Sequence, residues 1–188
     1  MKLVKLSNLM LRIPHALIRR IRYVLIVKTN RKKIVIGYNV RIASPHKLQL
    51  RGNATLKIGD NTIIEDDTLL NLSGDCQIGS NCYLSVRVLI GCSLKVLIGN
   101  QVAIGPNVII LDTNHEFDDV NRPIVEQGAV SKEVIIGNDC WIGANAVILP
   151  GVKLEQHVVV ASGSVVAKSF PKNVLVGGVP ARILRELT

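Results

Sequence analysis

Aliphatic residues recur every six positions along most of this chain: Ile36, Ile42 and Leu48; Ile58, Ile64 and Leu70; Ile78, Leu84 and Ile90; Ile98, Ile104 and Ile110. After an interruption the count resumes at Ile136, Ile142, Ile148, Leu154, Val160 and Val166. Many of these residues precede a glycine, as at Gly37, Gly59, Gly79, Gly99, Gly105, Gly137 and Gly143. The fourth position after the aliphatic is small or Val, as in Val40, Thr62, Thr68, Cys82, Val102, Val108, Cys140, Ala146, Val152, Val158 and Ser164. A helix is excluded, because six steps of about 100° leave successive aliphatics roughly 240° apart. An even spacing instead keeps them on one face of extended chain. The pattern predicts short strands, each ended by a turn suited to glycine, wrapped around a narrow aliphatic core. Three hexads make one triangular turn, and stacked turns make parallel sheets.

The run IGNDCWIGANAVILPGVKL, residues 136–154, resembles the hexapeptide-repeat acyltransferases, and the resemblance extends over residues 34–187. It implies an all-β, left-handed parallel β-helix, an exception to the right-handed crossover rule. It also implies a homotrimer with active sites between neighbouring subunits. The expected organisation is a basic amphipathic arm over residues 1–33, a β-helix over 34–178 with a loop extruded at 111–133, and a short helix over 179–188 that closes the solenoid after Pro180.

Composition agrees with an aliphatic solenoid, since hydrophobic residues make up 48% of the chain and aromatic residues only 3%. The four cysteines, at 76, 82, 92 and 140, form no CxxC pair and suggest neither a disulfide framework nor a metal site. Cys82 and Cys140 fall in the small-residue slots of the repeat. The net charge of +9 is local: residues 1–33 hold ten cations and no acid, which leaves the remainder near neutral. Arg19, Arg20 and Arg22 interrupt the apolar run of that arm, which argues against a signal peptide and against a bilayer span. Two compatible roles remain for it, covering the open sheet edge of the solenoid or lying on an anionic membrane surface. The expected location is cytoplasmic, with peripheral contact at the inner membrane face under the second role. Nucleic-acid binding is disfavoured, because the body carries no basic stripe.

Between Ile110 and Ile136 the hexad count fails, and an insertion in a solenoid must leave the coil as a loop, often on the binding face. This segment, LDTNHEFDDVNRPIVEQGAVSKEVI, holds His115 beside Asn114, with Asp112, Glu116, Asp118, Asp119 and Glu126 nearby. TNH followed by acids resembles the catalytic loop of the maltose, galactoside and related sugar O-acetyltransferases, which implies that His115 is the general base. A sugar hydroxyl is a poor nucleophile at neutral pH, and an imidazole can accept its proton during attack. No cysteine or serine forms a recognisable nucleophile pair with His115, so direct attack without an acyl-enzyme is expected. On the acceptor side, Glu126 either orients His115, binds acceptor hydroxyls or is an exposed loop carboxylate. Ser85 falls where sugar acetyltransferases often have Asn. Trp141 either borders the active-site groove or packs at a subunit interface.

The C-terminal stretch VASGSVVAKSFPKNVLVGGVPARILREL carries the donor half of the resemblance. It implies acetyl-CoA as cosubstrate. Ala144, Ser162 and Ala167 would lie along pantetheine, and Lys168, Arg182 and Arg185 would meet the nucleotide phosphates through charge-assisted hydrogen bonds. The function expected is O-acetylation of a sugar or glycan intermediate. The alternatives left open are a metal-dependent protein like the γ-type carbonic anhydrases, which needs three converging histidines, and a catalytically silent scaffold.

Overall fold

The computed structural model describes residues 33–188, so the expected basic arm lies outside the described residues except for Lys33. The six-residue repeat folds as a triangular β-helix with three parallel sheets. The first sheet stacks Ile34–Ile36, Thr55–Ile58, Asp75–Ile78, Lys95–Ile98, Val134–Ile136 and Lys153–Leu154. The second begins with Arg41–Ile42, Ile63–Ile64, Tyr83–Leu84, Ala103–Ile104, Trp141–Ile142, Val158–Val160 and Val174–Gly178. The third stacks Leu48–Leu50, Leu69–Leu72, Leu89–Cys92, Ile109–Leu111, Val147–Ile148 and Val165–Val166. Register places each six-spaced aliphatic directly over its counterpart, for example Ile64, Leu84, Ile104, Ile142 and Val160 in the second sheet. These columns form the core, and apart from the first coil's Ile36 and Ile42 they are almost wholly buried.

Two details depart from the simple hexad. Register steps from Ile58 to Ile78 to Ile98, twenty residues per turn, but from Ile136 to Leu154, eighteen. The two extra residues widen the corner between the third and first sheets. There they add one inward position per coil, filled by Leu72 in one and Cys92 in the next. The glycines also serve a purpose other than the expected turn. A Cβ on Gly79 would sit 2.4 Å from the carbonyl oxygen of Gly99 on the next coil, so glycine is needed for close approach. The left-handed conformation belongs instead to Asn and Asp two residues on, as at Asn61, Asn81 and Asp139, residue types that tolerate it. Their side chains stack too: the Asn39 amide donates to Oδ1 of Asn61 at 3.1 Å.

The outer faces differ. The second sheet presents Ile63, Tyr83, Ala103, Trp141, Val159 and Leu175 in one registered row that begins at Arg41. The third presents Leu69, Leu89, Ile109, Val147 and Val165. The first is mixed and charged, with Lys57, Gln77, Leu97, Ile135 and Lys153 in one row and a Lys95–Glu133 ion pair at 3.6 Å in the other.

The interruption of the repeat is a β-hairpin. Thr113–His115 pairs antiparallel with Ala129–Ser131, and a single helical turn, Ile124–Gln127, lies in its connection. The expected C-terminal helix does not form. Residues Ala181–Glu186 are a strand that turns back antiparallel onto Val174–Gly178 and ends the second sheet. An eight-residue segment is too short for a self-supporting helix, whereas the open strand edge offers unpaired backbone groups that must be satisfied.

Candidate active site

His115 sits in the outgoing arm of the hairpin, exposed, with Nδ1 at 3.3 Å from the carbonyl oxygen of Gly128. In the neutral imidazole, a hydrogen on Nδ1 donated to that carbonyl makes Nε2 the nitrogen that can accept a proton. Successive side chains of a strand point to opposite faces, and the cross-strand pairs follow suit. Thr113, His115, Ala129 and Ser131 share one face, where the hydroxyls of Thr113 and Ser131 meet at 2.7 Å. Asn114 and Val130 share the other.

That second face lines a groove. Asn114, Val130 and Lys132 enclose about 200 Å³ together with Leu149, Pro150 and Ala167. Ala167 also borders a larger pocket of about 650 Å³ built from residues 167–171 and 180–183. Lys168 and Arg182 line this larger pocket, and the Lys168 ammonium lies 5.7 Å from the centre of the Phe170 ring, within cation–π range. The two cavities follow one corner of the solenoid, the corner from which the hairpin leaves.

The remaining sequence-predicted residues lie elsewhere. Ser85, Ala144 and Ser162 fall on the corner between the second and third sheets, Ser85 donating its backbone N–H to Ile104 at 2.9 Å and Ala144 accepting from Gly163 at 2.8 Å. A Cβ on Gly143 would press against the Ser162 amide nitrogen at 2.5 Å, so these turns stack as closely as backbone allows. Trp141 is 56% exposed on the outer row of the second sheet. Glu126 is exposed in the helical turn, and its carbonyl accepts from the Arg122 guanidinium. Arg185 lies beyond the residues that line the larger pocket, with Nη1 at 3.4 Å from the carbonyl of Glu186. One chain therefore joins Asn114, Ala167, Lys168 and Arg182 along one corner. It turns His115 to the far side of the hairpin and leaves Ser85, Ala144, Ser162 and Trp141 apart.

Sequence reading missed Lys132, Phe170 and the two prolines of the larger pocket, Pro171 and Pro180. Phe170 ends the hexad count without being a six-spaced aliphatic, which was the available signal. It is buried and bridges to Leu154. Among the described residues no three His, Cys, Asp or Glu side chains converge as a metal site would require, and His157 instead pairs with Asp139 at 2.7 Å.

Comparison with known proteins follows the same lines. The family model for bacterial transferase hexapeptide (six repeats) matches residues 133–168. Galactoside O-acetyltransferase of Escherichia coli is 35% identical over 131 residues; the match covers 69% of this chain and 63% of the relative, less than two thirds of its length. A putative lipopolysaccharide biosynthesis O-acetyl transferase of the same species is 30% identical over 146 residues, covering 73% of this chain and 74% of the relative. A hexapeptide-repeat-containing acetyltransferase of Vibrio cholerae, solved in complex with acetyl coenzyme A, is 30% identical with a TM-score of 0.59, covering 85% of this chain and 74% of that one.

Proposed function

We propose, since this chain belongs to the hexapeptide-repeat acetyltransferase family, that it transfers acetyl from acetyl-CoA to a hydroxyl of a sugar or glycan intermediate with His115 as general base. The observation that carries the reading is the groove along the hairpin corner. Its wide end holds two cations suited to phosphates, Lys168 and Arg182, and its narrow end stops at the hairpin. Nε2 of His115 takes the proton of the acceptor hydroxyl as its oxygen attacks the thioester carbon. The tetrahedral intermediate then collapses, the carbon–sulfur bond breaks, and the leaving thiolate takes the proton from His115. A glycan acceptor is supported by the galactoside and lipopolysaccharide enzymes among the relatives.

The placement of His115 supports a site completed by a second copy. His115 faces away from its own chain's groove, while Ser85, Ala144, Ser162 and Trp141 lie on or beside the corner flanked by the two apolar outer faces. Two apolar faces and one charged face suit a closed ring in which different faces meet. We take this ring to be a trimer.

The test is thiol release from acetyl-CoA across a panel of sugars and nucleotide sugars, for the wild type and His115→Ala. The variant is expected to lose turnover by about 10²- to 10⁴-fold while still binding CoA, the range a general base supplies. Turnover that survives the substitution would remove His115 from the mechanism. Absence of both CoA binding and turnover in the wild type would reject acetyl transfer.

A further inference from the structure

Asp112 is the one charged side chain that the described residues bury completely, at 0% exposure. Its position is where the widened corner of the solenoid runs out. In the lower wide corner, backbone N–H groups find carbonyls on the coil above: Ser73 and Gly74 donate to Cys92 and Asp75 donates to Leu94, at 2.7, 3.1 and 3.0 Å. The upper wide corner has no such coil above it, because the chain leaves at Asp112 and returns, two residues per turn narrower, at Val134. The Asp112 carboxylate takes the place of those carbonyls. Oδ1 accepts from the Ser93 amide at 2.8 Å, and Oδ2 accepts from the amides of Leu94 and Lys95 at 2.7 and 2.8 Å.

The same residue is the root of the hairpin. The Asp112 N–H donates to Gly91 at 3.3 Å and its carbonyl accepts from Lys132 at 2.7 Å. The Thr113 hydroxyl donates to Oδ1 at 2.9 Å and lies 2.7 Å from the Ser131 hydroxyl on the returning arm. Thr113 and Ser131 share the hairpin face that carries His115.

We propose that Asp112 is the positioning residue for His115: one carboxylate ends the wide corner and fixes the direction in which the hairpin leaves, so the place of the base is set by the rigid coil beneath. This rests on the acetyl-transfer reading. Misplacement of a reacting group by about 1 Å can cost roughly 10²-fold in rate, whereas a staple concerned with folding alone would leave turnover of the folded enzyme unchanged.

The test combines Asp112→Asn and Thr113→Val in the full chain, with steady-state kinetics and amide hydrogen exchange. Asp112→Asn keeps the volume but turns an N–H₂ toward backbone donors. It is expected to raise exchange at 113–116 and 129–131, leave exchange at 141–166 unchanged, and lower kcat by about tenfold or more with the acetyl-CoA KM nearly constant. Thr113→Val keeps the three amide bonds and the Lys132–Asp112 backbone bond and cuts only the side-chain tie to the hairpin. It is expected to preserve Tm and still lower kcat, and it decides the matter if Asp112→Asn does not fold. A lower Tm with kcat unchanged, or hairpin exchange equal to wild type in both variants, would overturn the proposal. If the wild type neither binds CoA nor transfers acetyl to any acceptor, the acetyl-transfer reading fails by itself. Exchange at 113–116 then still decides whether Asp112 holds the hairpin.

Discussion

At the scale of single residues, burial decides what the four thiols can do. Cys76, Cys82, Cys92 and Cys140 are free and buried, and burial raises each thiol above its ordinary value, Cys92 to about 12, with the Asp112 carboxylate adding to the effect there. The thiolate is the reactive form, so a disulfide reagent at neutral pH is expected to modify none of the four in the native protein and all of them after denaturation. The sign of the pH dependence follows from the same shift. A thiol kept protonated by folding contributes fully below the unfolded value of about 8.5 and loses that contribution as pH climbs through the folded value. The denaturant midpoint is therefore expected to fall steadily from about pH 9 upward, and a flat midpoint to pH 11 would contradict the burial effect. Cys82 and Cys140 were placed correctly by the hexad alone. Cys76 and Cys92 are buried as well, as small apolar residues are expected to be, Cys92 in the inward position that the eight-residue gap between Ile90 and Ile98 adds. The side on which His115 points was illegible, since it depends on hairpin register.

At the scale of elements, the repeat carried its own evidence and the exceptions did not. Every six-spaced aliphatic from Ile58 to Val166 is in the core, because a narrow solenoid gives each inward position only one kind of neighbour. The break at 111–133 was visible as an interruption, but its hairpin was not: only three residues pair on each arm, and Phe117, Val120, Ile124 and Val125 stay exposed with no alternation to read. The terminal strand was misread as a helix because eight residues hold too few turns to show a period. The hairpin's energetic independence is testable. Residues 112 and 132 are already joined by a 2.7 Å backbone hydrogen bond, so replacing 113–131 with a short glycine linker is expected to leave Tm within a few degrees. CoA binding at the Lys168–Arg182 pocket should persist while acetyl transfer disappears. Loss of the fold would mean that the hairpin staples the coils.

At the scale of the whole molecule, the three outer faces have different characters. The apolar rows of the second and third sheets are the surfaces that a ring would bury, and the charged first sheet is the one left to water. Val147→Glu, in the third sheet's outer row, is expected to convert the proposed trimer to monomers in sedimentation equilibrium. The solenoid's circular dichroism should be unchanged and turnover abolished. An intact assembly would assign the ring to other faces. The end of the solenoid has a different consequence. A stack of equivalent rungs has no intrinsic last member, and every exposed parallel strand is a template for the next. By reversing direction after Gly178, Ala181–Glu186 covers the last parallel strand of the second sheet with an antiparallel one that carries Arg182 and Arg185. The segment that walls the larger pocket is thus also a stop on one side of the triangle, where a further parallel rung would have to displace an antiparallel neighbour.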